Sequence, residues 1–393
     1  AHPSNITNYP FPPTPAQNPH LPVYTLFFKA TVNRKDLSDA LTTAAAASST
    51  RTALPVLSSI RIDAMDGGLT LLGCDGEMWA QAKCQANIET PGAICVPQRL
   101  LSEIVGALPD GHVEIELSGT SVFLRHGVSE WRMLAMPAED FPPVPASQVG
   151  ASLTLTGKEL RKGIEAVVYA VSDDTSRPML TGVLFSYDGE VLTMVATDTH
   201  RMAVHRIRRD GIGSRITAIV PEKALKAIKN LTSDSDETIT LGFDETRVRV
   251  EVGTSMVTSQ LLSGQYPNWE RVVPTEFTRA WTLDRQELLV NVNRAMILAR
   301  DSANRVRFKG EGDRVVISAR SEDKGDAREE VGVVSKNGDI EIAFNGRYVM
   351  DALKALDSDG VQAEMTESSR PAVLRPTDSP DETFCVVMPM AVG

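Results

Sequence analysis

Apolar and polar residues alternate over short runs along much of this chain, as they do in strands with one buried face. Leu57–Ile62 and Leu69–Leu72 flank the turn Met65-Asp66-Gly67-Gly68. Gly182–Phe185 and Val191–Met194 flank Tyr187-Asp188-Gly189-Glu190, and Val306–Phe308 and Val315–Ile317 flank Gly310-Glu311-Gly312-Asp313. Each pair predicts a hairpin, with glycine supplying the positive φ that tight turns need. Between the alternating runs lie charged stretches that predict helices over 33–46, 97–108, 157–170, 221–231, 284–300 and 345–356.

The order of elements is the same three times. A short strand leads into a charged helix at Phe28–Val32 and Asn33–Leu37, at Leu153–Thr156 and Gly157–Leu160, and at Ala280–Leu283 and Asp284–Leu288. A second strand–helix step follows at Ile94–Val96 and Pro97, at Ile219–Val220 and Pro221, and at Ile342–Phe344 and Asn345. Pro97, Pro221 and Asn345 stand 124 positions apart. Further strands come after each second helix, at Val113–Leu117, at Thr238–Leu241 and from Val361. Each unit thus holds two helices and about eight strands and is internally duplicated, which is an α+β class with antiparallel sheets and the helices gathered on one face. Phe141–Pro145 and Tyr266–Pro274 read as linkers, so the domains are expected at 27–147, 151–272 and 279–393. One fold used three times suits a building element of a symmetric object better than a scaffold around one catalytic cleft.

The 393 residues suffice for three domains of ordinary size. The first 26 carry seven prolines and no apolar stretch of a signal peptide, and they are expected to be a disordered extension outside the fold. No apolar run reaches the ~18 residues that cross a bilayer. Cys74, Cys84, Cys95 and Cys385 form no Cys-x-x-Cys pair and read as buried free thiols, consistent with a reducing cytoplasm. The net charge is −11, which excludes a uniformly basic nucleic-acid binder, but the six predicted helices total +5 and the rest of the chain −16. If those helices share one surface, it is positive on an acidic protein and attracts a polyanion locally.

The most specific local motif is Ala196-Thr197-Asp198-Thr199-His200-Arg201-Met202-Ala203. The first copy keeps only the aspartate, in Gly73-Cys74-Asp75-Gly76-Glu77-Met78, and the third has Ser318-Ala319-Arg320-Ser321-Glu322. Two readings stand. Asp198 orients His200 as the base of a hydrolase, or Asp198 makes an Asx turn that opens a strand. No nucleophile motif accompanies the pair, and His205 falls on the opposite strand face from His200. No phosphate-binding glycine loop and no zinc-ligand spacing is present, so no cofactor and no metal is expected.

Four segments in order carry a resemblance: Arg177–Phe185, the Thr197–Arg201 motif, Tyr266–Pro274 and Val386-Val387-Met388-Pro389-Met390. From about residue 27 onward the chain resembles the bacterial DNA polymerase III beta subunits, the sliding clamps. The resemblance implies three clamp domains per chain and a head-to-tail homodimer closed into a six-domain ring around double-stranded DNA, with the helices lining the hole. It implies a non-catalytic processivity factor in the cytoplasm. The implied partners are the replicative DNA polymerase catalytic subunit, the clamp loader, and other polymerases and repair proteins that dock through short linear peptides.

Sequence-independent phosphate contacts suit a sliding ring. The expected DNA-facing residues are Lys158, Arg161, Lys162, Lys223, Lys226, Lys229, Arg294, Arg300 and Arg347, with Arg51, Arg177 and Arg305 added by the resemblance. It also implies a peptide pocket between the second and third domains at Leu180, Thr197, His200, Arg201, Met202, Pro267, Val272, Asn345, Tyr348, Val386, Met388, Pro389 and Met390, with Leu180 on a strand. The resemblance further implies that Trp131 and Met133 meet Ile297 and Leu298 across the ring joint. The chain departs from its relatives in the proline-rich extension, in Pro178-Met179 and in the ending Ala391-Val392-Gly393. The competing function classes are the hydrolase and a repeat-built protein-binding scaffold that never meets DNA.

Overall fold

The computed structural model describes residues 27–49, 54–65, 67–146, 150–209 and 214–392. The expectations for residues 1–26 and for Arg51 lie outside this set. Among the described residues there are six α-helices: α1 (Arg34–Ala45), α2 (Gln98–Ala107), α3 (Gly157–Val167), α4 (Glu222–Leu231), α5 (Arg285–Ala299) and α6 (Gly346–Ala355). Their starts are set by the residues that precede them. The Asn33, Asp284 and Asn345 side chains each accept a first-turn backbone N–H, and Thr156 closes a capping box with Glu159. Proline stands at the N-cap of α2 and α4.

The strands are antiparallel throughout. Two expected boundaries shift. The segment at Leu57 is a 3-10 turn, Pro55–Ser58, and the strand begins at Ser59. Leu180 also lies on a 3-10 turn, Pro178–Leu180, not on the following strand Gly182–Tyr187, because Pro178 removes a ladder donor there.

Neighbouring units join by one rule. Strand Met78–Thr90 of the first pairs with Ser255–Gln260 of the second, Trp79 opposite Thr258. Strand Arg201–Arg208 of the second pairs with Thr383–Val387 of the third, Met202 opposite Val386. The sheets therefore run unbroken across both joints. Among the described residues, the equivalent strands at the two ends, Ser129–Leu134 and Gly325–Gly332, each have a neighbour on one side only.

Helices follow the same logic. Within units α1 touches α2, α3 touches α4 and α5 touches α6; across joints α1 touches α4 and α3 touches α6. The six form a single row, in the order α2, α1, α4, α3, α6, α5. Alternation along each strand decides the faces. Val183, Phe185, Met194 and Ala203 pack in the core that the second unit's helices cover, while Leu184, Val195, Met202 and Val204 form a separate apolar cluster. Close helix-to-sheet approach needs glycine at Gly73, where a Cβ would sit 1.9 Å from the carbonyl oxygen of Ala44 at the end of α1.

Candidate functional site

The row of helices carries a groove of about 700 Å³ where the second and third units meet. Lys158, Arg161, Lys162, Lys229 and Lys354 line it with Arg285, against Glu165, Asp234, Asp351 and Asp357. Lys158 is exposed at the start of α3, where its charge is solvated and available. Lys162 reaches Glu382 at 3.0 Å, Lys229 reaches Glu165 at 3.4 Å, and Arg161 donates to the Thr232 carbonyl at 3.1 Å. Lys354 and Arg285 are missing from the sequence expectation, and a count of basic residues per helix is the signal that flags Lys354. Arg285 is largely spent on the carbonyls of Leu353, in the last turn of α6, and of Ser358 in the loop beyond it.

The other predicted cations are spread along the same row. Lys223 and Lys226 are exposed on α4, with Lys223 paired to Asp75 across the first joint. Arg294 and Arg300 are exposed on α5 and at its C-cap, and Arg347 in the first turn of α6. Arg177 lies exposed on a loop, its Nε 3.0 Å from Asp174. Arg305 does not join them. It starts strand Arg305–Glu311, and its Nη1 donates to the Ala391 carbonyl at 3.4 Å. Alternation puts it with Arg307 and Lys309, opposite the core-facing Val306 and Phe308.

The Thr197–Met202 motif is a pinned turn. Asp198 Oδ1 accepts the His200 and Arg201 backbone N–H groups at 2.9 Å each, and its Oδ2 accepts Arg201 Nε at 3.0 Å. Thr197 Oγ1 donates to the Arg201 carbonyl at 2.7 Å. Thr199 takes φ +77°, a left-handed conformation that this network holds in place. The Asp198 carboxylate thus serves the backbone and Arg201, as an Asx turn does. The His200 ring is exposed.

Three chain segments converge beside this turn. Met388 N donates to the His200 carbonyl at 2.9 Å, and Met390 N to the Ala343 carbonyl at 2.7 Å. Tyr266 of the linker donates to the Val195 carbonyl at 3.2 Å. Met202 and Val386 sit in one apolar cluster with Val373 and Phe384, flanked by Met179, Tyr266, Trp269 and Val273. Leu180 and Thr197 are also buried; Met388, Pro389 and Met390 are half-buried, and His200, Pro267 and Val272 exposed. The geometry is an apolar floor with a mixed rim. A groove of about 880 Å³ continues past Pro267 along Leu184, Ile219, Leu262 and Trp269. Sequence reasoning missed Met179, Val373, Tyr266 and Trp269. The aromatics were legible as a signal, since Tyr and Trp in a proline-rich linker call for a surface to cover.

Two predicted pocket residues have other commitments. Arg201 is largely buried and turns toward α6, because its strand neighbour Met202 faces the apolar cluster. It pairs with Asp351 at 2.7 Å and lies over the rings of Tyr348, at 4.5 Å, and Tyr169, at 5.4 Å. Burial works against its charge, yet Asp351 and Asp198 raise its pKa overall. Asn345 caps α6 by accepting the Arg347 N–H at 3.0 Å. Both are thus engaged with α6, at its first turn and at Asp351.

Comparison with known proteins decides what this arrangement is. Family models of the DNA polymerase III beta subunit match the whole sequence of units: the N-terminal domain over residues 28–145, the central domain over 154–268 and the C-terminal domain over 270–391. The chain belongs to the DNA polymerase III beta subunit family. The beta sliding clamp of Staphylococcus aureus is 31% identical over 353 residues, covering 87% of this chain and 93% of the relative. That of Synechococcus elongatus is 31% identical over 372 residues, covering 92% and 99%. The Pseudomonas aeruginosa sliding clamp bound to griselimycin superposes with a TM-score of 0.86 at 28% identity, covering 93% of this chain and all of that one. Membership makes this chain a DNA sliding clamp, the non-catalytic processivity factor of DNA polymerase III, and neither the hydrolase nor the DNA-free scaffold is supported.

Among the described residues no group of three or more His, Cys, Asp or Glu is placed to hold a metal, and no helix is long and apolar enough to cross a membrane. Burial pushes the thiols of Cys74, Cys84 and Cys385 up to about 11 and that of Cys95 to about 12, so they remain protonated and unreactive at neutral pH.

His205 has no catalytic setting either. It is buried at the second joint, its Nδ1 2.7 Å from Thr383 Oγ1. Burial lowers its pKa to about 4, opposed by Glu382 and reinforced by Lys162. A histidine held neutral below its unfolded pKa of about 6.5 stabilises the fold above that pH. The unfolded chain binds the extra proton between the two values, so the contribution is lost as pH falls from about 6.5 toward 4. By pH 5 the loss should be roughly 2 kcal/mol. Thermal melts at pH 7 and 5 should show a smaller drop for His205→Gln than for the parent. An equal drop in both would assign the acid sensitivity elsewhere.

Proposed function

We propose that two copies of this chain, with domains at 27–147, 151–272 and 279–393, join head to tail and enclose duplex DNA with the row of helices facing it. The observation that carries this reading is the joining rule. It is used twice inside the chain and leaves one open edge at each end, Gly325–Gly332 and Ser129–Leu134. A second copy supplies the missing partner at both ends and closes two-fold symmetry. By the same rule α5 packs against α2 of the second copy, as α1 does with α4 and α3 with α6. Exposed apolar residues support it: Ile297 and Val290 on α5, Leu100 on α2, and Leu134 on the open strand. Met133 is withdrawn from the expected contact set, because its side chain is buried in its own domain's core, and Trp131 packs against that core. Leu134, the next residue, points outward. Leu298 is half-buried beside Ile297.

The cationic groove, with Lys158, Arg161, Lys162, Lys229 and Lys354, would hold phosphates without reading bases. In the cytoplasm the ring would tether the replicative polymerase, and the same apolar pocket would serve the clamp loader, other polymerases and repair proteins through short peptides. A few large side chains on an apolar floor fit such exchange of partners. Retention on DNA is the test. Loaded on a nicked circle, the protein should persist at a salt concentration that strips it from short linear duplex, and it should leave when the circle is cut. Equal loss from circle and linear duplex would rule out encirclement.

A further inference from the structure

In each copy the chain leaving the domain forms a bridge to the edge strand that precedes the second helix. Met136 pairs with Cys95, Leu262 N donates to the Ile219 carbonyl at 2.9 Å, and Met390 pairs with Ala343. Cys95, Ile219 and Ala343 keep the 124-residue interval of the repeat. In two copies an arginine reaches across that edge strand to the departing chain. Arg61, opposite Cys95 in the ladder, donates to the Ala138 carbonyl at 3.3 Å, two residues past the bridge. Arg307, opposite Ala343, donates to the Val392 carbonyl at 2.7 Å, also two residues past the bridge. The second copy has Leu184 at this place, opposite Ile219.

We propose that Arg307, assisted by Arg305, is a latch that positions the Met388–Met390 wall of the partner-peptide pocket. Val387 ends the last strand, and among the described residues two backbone hydrogen bonds, from Met388 and Met390, hold the segment that follows. Arg307 fixes the far side of that segment through Val392, and Arg305 adds the Ala391 carbonyl at 3.4 Å. Glu341 stands 3.1 Å from Arg307 and orients it. A charged donor to a carbonyl is stronger than a neutral one. Its effect on affinity comes from preorganisation: a wall already in place need not be ordered when a peptide binds. Arg305 and Arg307 reach the departing chain through its carbonyls, so each acts through the methionines as a positioning residue.

The inference rests on the pocket reading given above, and the test separates the two. Griselimycin, carried by the related clamps of Pseudomonas aeruginosa and Bartonella birtlesii, is the probe. Arg307→Ala should weaken it by roughly fivefold to tenfold in calorimetry and speed hydrogen exchange at the Met388 and Met390 amides. Thermal stability and dimer mass should hold. Arg307→Lys should recover part of both effects, and Glu341→Gln should reproduce a smaller version of them. Met388→Ala with Met390→Ala is the control. If the control binds weakly while Arg307→Ala binds like the parent, or if amide exchange in Arg307→Ala is unchanged, the latch is overturned and the pocket stands. If the control also binds like the parent, the pocket reading falls and the latch with it.

Discussion

Glutamate at Leu134 and Ile297 together should leave this clamp as single chains of 42.6 kDa, where the parent has twice that mass. Leu134 is 67% exposed on the open strand of the first domain, and Ile297 is 63% exposed on α5 of the third. Neither exposure is needed by the monomer's own core, so the substitutions should leave the melting temperature nearly unchanged. In the proposed ring both are buried at a joint. Burying a side chain of this size contributes ~1.5–3 kcal/mol, and an unpaired carboxylate there costs several kcal/mol more. Each ring has two joints, and each joint contains both positions, so the penalty is counted twice. Light scattering at micromolar concentration reads the mass, and the nicked-circle assay should show loss of retention in parallel. A double variant that stays dimeric would mean that the open edges are not the joint. A monomeric parent would remove the ring altogether. Replacing Ile297 and Leu298 by alanine is a milder form of the same test and should shift the dimer toward monomers without a buried charge.

The reasons why part of this was legible and part was not are physical. Helix positions came from strand–helix order and caps, which are local, so all six lie within a few residues of expectation. The threefold repeat made each boundary readable from the other two. Side-chain facing failed where it depends on strand register. The resemblance supplies Trp131 and Met133 as joint residues, but along Ser129–Leu134 the faces alternate: Met133 is buried and Trp131 half-buried, while Leu134 is exposed. Arg305 enters through the resemblance as a loop residue; in the fold it is the first residue of a strand and donates to the Ala391 carbonyl, a contact with a segment 86 residues away that no local pattern announces. Arg201 could not be placed because its partner Asp351 is 150 residues away on α6. His205 was recognised as facing away from His200, but its burial depends on Thr383, a contact between domains.

Met388→Ala with Met390→Ala should abolish most partner binding while leaving the ring and its hold on DNA intact. These methionines are half-buried on the segment that directly follows the last strand, whose Val386 forms an apolar cluster with Met202 in the sheet core. Truncating the floor would confound binding with stability, since removing buried methylenes costs 2–5 kcal/mol. Truncating the wall avoids this. Methionine is flexible and polarisable, so it can cover different apolar side chains in turn, as several partners at one site require. Dominant contact residues typically cost ~1–3 kcal/mol each on truncation, which predicts a tenfold to several-hundredfold weaker complex for the pair, allowing for non-additivity between neighbours. Calorimetry with a peptide from the replicative polymerase reads the affinity. His200→Ala, exposed and outside the Asp198 network except through its backbone, should weaken the same peptide less and expose no lost activity. Parent-like affinity in the methionine pair would relocate the pocket. Equal weakening of peptide binding and of DNA retention would show instead that the substitutions had damaged the second joint, because only a joint failure reaches both faces of the ring.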